Sequence, residues 1–168
     1  MLCTTQEERL WYVRNLALGL ISYLGVTEPP VFVENLLKYP PKAFEETQDQ
    51  HELNNSVWQN ILTNSSYRGE KLIIPADLPS DEKRYAIARE FILVASNVQH
   101  GRMMGLDELL DSYSWEVQDY FARILLAPDH LVRAYRKRGG RYEDFAETFI
   151  IPARVAAIRW EEPLVHAF

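Results

Sequence analysis

Ser80-Asp-Glu-Lys-Arg-Tyr-Ala-Ile-Ala-Arg-Glu-Phe-Ile-Leu-Val-Ala-Ser-Asn97 is the stretch on which the reading of the fold turns. Ile87, Phe91, Val94 and Val98 recur at spacings of four, three and four, and Ala88, Ile92 and Ala95 widen the stripe. That spacing predicts an amphipathic helix. Pro79 and Ser80 mark its start: the Ser80 hydroxyl is expected to cap free backbone amides, and Asp81 and Glu82 place negative charge at the positive end of the dipole. A helix this apolar on one side is expected at the centre of the domain.

Within it lies Arg89-Glu90-Phe91-Ile92-Leu93. A zinc peptidase helix carries His-Glu-x-x-His: two histidines four apart grip one metal, and the Glu serves as general base on the bound water. Here the Glu is kept and both histidines are absent. Arg89 is cationic at any working pH and has no lone pair to donate, and Leu93 has no donor atom.

The surroundings add to this. Arg84-Tyr85-Ala86-Ile87-Ala88-Arg89-Glu90 resembles the approach to the active-site helix of the ImmA/IrrE metallopeptidases. Phe121-Ala122-Arg123-Ile124-Leu125-Leu126-Ala127-Pro128 is similar to that family's second motif, and Pro30-Val31-Phe32-Val33-Glu34 to its entry into an early helix. The similarity reaches from about Leu10 to Trp160. It implies a zincin-like metallopeptidase fold in which the metal-ligand positions fall on Arg89, Leu93 and Val117, with Glu90 as a vestigial general base. Glu116 stands next to the third position, but one residue is about 100° around a helix. In the vacated site, Arg89 is expected to pair with Glu116 or Asp119.

A chain of 168 residues is normally one domain with a core of its own, and 47% apolar with 25% charged residues is an ordinary globular composition. A net charge of −6 argues against general affinity for nucleic acid or acidic membrane. A single cysteine, Cys3, forms no internal disulfide and fits the cytoplasm. Leu10 to Val26 reads as a core helix stopped by Gly25; Arg9, Arg14 and Asn15 interrupt it and argue against a membrane span. Val31–Tyr39 reads as a short helix. Short edge strands are expected between Lys42 and Ser66, and Lys71–Pro75 is the best strand of the chain. His51-Glu52-Leu53-Asn54-Asn55 begins like the zinc motif but has Asn at the second His place. Gly101 is expected to stop the central helix as a left-handed cap. Ser114 is expected to open a further helix with Val117, Phe121, Ile124 and Leu125 inward. Arg133, Arg136, Lys137, Arg138 and Arg141 crowd a helix end around Gly139-Gly140, where the dipole favours cations; they double as a candidate partner-binding patch. Tyr142–Phe149 and Ala153–Trp160 read as a helical hairpin.

The expectation is therefore one α+β domain over residues 1–168. A small sheet from the N-terminal half packs on a mostly helical remainder, and the hairpin 142–160 ends the domain. The leading functional expectation is a catalytically degenerate metallopeptidase-like protein that acts by binding another protein, with a helix-turn-helix repressor as the implied partner and no cofactor. One alternative is an active metallopeptidase whose zinc is held by a rearranged set drawn from Glu90, Glu116, Asp119, His100 and His130. Another is a nucleic-acid-binding protein that uses the 133–141 patch.

Overall fold

The computed structural model describes residues 5–39, 41–44 and 78–165. Eight α-helices occur among them: α1 (Gln6–Leu24), α2 (Glu34–Lys38), α3 (Ser80–Asn97), α4 (Gln99–Met103), α5 (Leu106–Leu126), α6 (Asp129–Lys137), α7 (Tyr142–Phe149) and α8 (Ala153–Glu161), with a 3-10 turn at Lys42–Phe44. The described residues contain no strand, so the α+β, zincin-like expectation is overturned: the architecture of the described residues is all-helical. The physical reason is visible in the core. The apolar stripe of α3, which a sheet would have covered, is taken up by α5. Phe91 of α3 stacks on Phe121 of α5 at 6.2 Å between ring centroids, and Phe44 from the 3-10 turn meets Phe91 edge-on at 6.1 Å. Lys42–Phe44, where an edge strand was expected, is that turn; the rest of the expected strands, including 71–75, and the decoy at 51–55 lie outside the described residues.

α5 is the hub, with α1 and α3 both packed along it. It is kinked: Tyr113 leaves helical geometry (φ −139°, ψ 32°), and the second half starts at Ser114. A second helical segment thus opens at Ser114 as expected, with Val117, Phe121, Ile124 and Leu125 buried, and the Ser114 hydroxyl accepts from the Gln118 side chain. α1 begins with a capping box in which the Thr5 hydroxyl accepts from the Glu8 amide and the Glu8 carboxylate accepts from the Thr5 amide, and it ends at Gly25 with φ 64°. At α3 the expected cap is corrected. Pro79 holds the cap position and Ser80 is already helical, without a side-chain cap bond.

The role of Gly101 is corrected too. α3 ends at Val98, which turns extended (φ −77°, ψ 157°), and Gly101 sits inside α4. A Cβ there would overlap the carbonyl oxygen of Ala95, so glycine is needed for close packing of α4 on α3 rather than for a left-handed turn. α7 and α8 close the C-terminal end, where Phe145 lies 4.6 Å from Phe149 and 5.1 Å from Trp160.

Candidate functional site

α3 presents Arg89, Glu90 and Leu93, and the second half of α5 faces them. Leu93 is half-buried against the core and Val117 is fully buried within it, so two of the three degenerate ligand positions are packing residues. Arg89 lays its guanidinium over Trp115, with Cζ 4.4 Å from the ring centroid, and its Nη2 donates to Gln118 Oε1 at a long 3.5 Å. The buried Gln118 donates in turn to Ser114 Oγ, which fixes its carbonyl toward Arg89. Arg89 Nε is buried without a hydrogen-bond partner.

The expected pairing of Arg89 with Glu116 or Asp119 does not form. Glu116 accepts from Gln6 at 2.6 Å and from Arg9 at 3.4 Å, and Asp119 accepts from Tyr85 and Arg123. Residues 115 and 118 share a face of α5, whereas 116 and 119 lie about 100° further round. Glu90 makes no hydrogen bond among the described residues; burial pushes its carboxyl above the ordinary range, and the neighbouring Arg89 partly offsets this.

A second cluster was not foreseen from sequence. Asp129 is buried at the start of α6 between Arg14 of α1 and Arg159 of α8, both of which donate to it. Arg159 is fully buried; its Nε donates to the Ala127 carbonyl at 2.8 Å and its Nη1 reaches Glu162 at 3.5 Å. Arg123 then bridges Glu162, at 2.8 Å, and Asp119, which also accepts from the Tyr85 hydroxyl. Desolvation and that hydrogen bond push the Tyr85 phenol far up. A signal was present: Arg14 and Arg159 occupy inward-facing turns of their helices, Arg14 three residues before Ala17 and Arg159 four after Val155, and both neighbours are buried.

The third feature is a groove of about 460 Å³ along α1. Trp11, Asn15, Gly19 and Tyr23 recur every four residues on its rim, Tyr12, Leu16 and Leu20 form the adjacent row, and Phe44, His100 and Met104 stand opposite. Trp11 is 65% exposed and Tyr23 54%. A Cβ added at Gly19 would meet nothing within 4 Å among the described residues, so the groove is open there on their side.

The cations of the 133–141 stretch are mostly engaged. Arg133 donates to the Val165 carbonyl at 3.0 Å. Arg136 donates to the Trp160 carbonyl and lies 4.4 Å over its ring. Arg138 reaches Glu28 at 3.4 Å, and Arg141 pairs with Asp144 at 2.9 Å. Lys137 is exposed. The stretch is thus largely a set of helix-end and interhelical contacts rather than an unpaired basic face. The ligands of the rearranged zinc site do not converge. His100 meets Phe44 edge-on, His130 faces the Val26 carbonyl at 3.4 Å, Glu116 and Asp119 serve arginines, and among the described residues no three His, Cys, Asp or Glu side chains form a group able to hold a metal ion. No described helix is long and apolar enough to cross a membrane. Compared with family models, with curated proteins and with solved structures, the chain matches none.

Proposed function

We propose that the chain acts by binding another protein, and that the α1 groove receives an amphipathic helix of that partner. The observation that carries this reading is the open row Trp11, Asn15, Gly19 and Tyr23 above an apolar floor. From residue 11 to 23 the row spans about 18 Å, roughly three turns of a partner helix. Its lining is the aromatic, leucine and methionine chemistry that dominates helix-in-groove recognition. Trp11 and Tyr23 offer on the order of 100–150 Å² each, far below the ~800 Å² per side of a stable dimer. A slim helix makes up the difference from floor and walls, whereas a second copy, concave in the same place, cannot enter. Helix-turn-helix repressors, the partner class implied by the resemblance, carry helices of this size.

In this reading the chain works by occupancy rather than by hydrolysis. Glu90 as general base needs an activated water, and what acts on its carboxyl among the described residues is burial and the Arg89 guanidinium.

Gly19→Leu tests the groove. The site is open, so the fold is expected to survive, with a stability gain of up to about 1 kcal/mol from removing a mid-helix glycine. Helix-turn-helix repressors captured by the parent chain should cross-link to a photoreactive residue at position 11 and be lost with Gly19→Leu. Equal capture by both proteins, or no partner at all, overturns the proposal.

A further inference from the structure

The Arg89–Trp115 cluster lies outside the α1 groove and carries a separate reading. We propose that Arg89, held flat on Trp115 and aimed by Gln118, receives one carboxylate: an Asp or Glu side chain of a bound polypeptide. The inference rests on the protein-binding reading only in taking a polypeptide as the ligand's source.

The interior arginines around Arg89 each have a carboxylate or a backbone carbonyl: Arg84 donates to the Val31 carbonyl and Arg136 to the Trp160 carbonyl, and the others are ion-paired. Arg9 has Glu116, Arg14 has Asp129, Arg123 has Asp119 and Glu162, and Arg159 has Asp129 and Glu162. Arg89 has no ion pair among the described residues, and its hydrogen bond to the Gln118 amide is long. The guanidinium is nonetheless oriented, by a ring on one face and a fixed amide at one edge. A stacked, planar fork with free donors is suited to bidentate recognition of a carboxylate. Arg89 is itself only half-buried beside the exposed Trp115, and with Nε buried the ligand meets the Nη1 and Nη2 edge of the fork.

The charge count narrows the ligand. Arg89 supplies one positive charge and the neighbouring Glu90 carboxyl adds none, so a phosphate dianion is poorly matched and a monoanion is the better match of the two. Glu90 itself cannot close the pair intramolecularly: it sits beside Arg89 in sequence, about 100° round the helix, and forms no salt bridge with it.

The test is a titration of the ¹⁵N-labelled full chain with acetyl-glutamate-N-methylamide, following the Arg89 Nε–H and Trp115 indole N–H resonances. Saturable shifts with millimolar affinity are expected. Arg89→Lys, which keeps the charge but loses the fork, should bind at least about fivefold more weakly. Gln118→Glu places a carboxylate within the cluster and should abolish binding while leaving the rest of the spectrum in place. Acetyl-glutamine-N-methylamide should not bind, and inorganic phosphate or acetylglycine should bind more weakly than the glutamate probe. Non-saturable shifts, unchanged affinity in Arg89→Lys, or tighter binding of phosphate or of a terminal carboxylate overturns the proposal. None of these outcomes depends on the α1 groove, so its failure and that of the groove are separable.

Discussion

The second half of α5 meets an arginine near each end, and the two arginines are opposites. Beyond its C-terminus, Arg159 is fully buried and its donors are spent on the Ala127 carbonyl, Asp129 and Glu162. Near its start, Arg89 is half-buried, stacked on an exposed indole, and without a salt bridge among the described residues. The first arrangement ties α1, α5, α6 and α8 together through charges matched one for one. The second has orientation without satisfaction. A buried charge is tolerated only when it is paired, so the saturated cluster is an assembly device. An oriented but unsatisfied cation adds little to the fold and leaves its chemistry available.

The largest expected effect breaks the saturated end. Asp129→Ala leaves Arg14 and Arg159 facing each other in a buried site and should cost about 3–5 kcal/mol, read from urea unfolding. Replacing Arg14, Asp129 and Arg159 together by Met, Leu and Met should recover much of that loss, because no orphan charge remains. Failure of the triple variant to recover would mean that packing at this corner, not charge matching, sets its stability.

At the other end, Arg89→Gln should change stability by no more than about 1 kcal/mol, the scale of a partly exposed cation–π contact. A loss comparable to that of Asp129→Ala would erase the contrast.

The smallest effect is a pH signature at Glu90. Burial raises its carboxyl above the ordinary range, so the folded chain holds that proton more tightly than the unfolded chain does. The resulting stability is fully present below the unfolded value, near 4.5, and is lost as pH rises through the folded value. Glu90→Gln does not suffer that loss. It is expected to be slightly more stable than the parent at neutral pH, with the gap closing in acid. A constant difference across the range would show that the effect is steric.

Local periodicity carried much of the helical reading. The apolar stripe read over Ser80–Asn97 is observed over the same residues, and Tyr142–Phe149 is a helix as read. What failed was non-local. The sheet inferred for the N-terminal half is absent from the described residues because α5, not a sheet, covers α3. Asp119 appeared as a free carboxylate beside an empty metal position, yet Arg123 one turn on and Tyr85 on the facing helix claim it. Arg14 read as a polar interruption, and the role of Arg159 was not legible, because their shared partner, Asp129, lies 115 and 30 residues away. The α1 groove was hidden for a different reason. Trp11 and Tyr23 stand one row away from the buried Val13, Ala17 and Leu20, and a helical wheel cannot say which row lies open.

Asp129 also constrains how the chain is made. Its two buried counter-charges come from near opposite ends of the described chain, at residues 14 and 159. During synthesis, α1 through α6 emerge before Arg159 does, and the Ala127–Asp129 corner then lacks the guanidinium that closes it. Docking of α8 is therefore the step that completes the interior. Nascent chains arrested before residue 159 should be cut readily by protease, and those arrested after the whole of α8 has cleared the ribosome should resist.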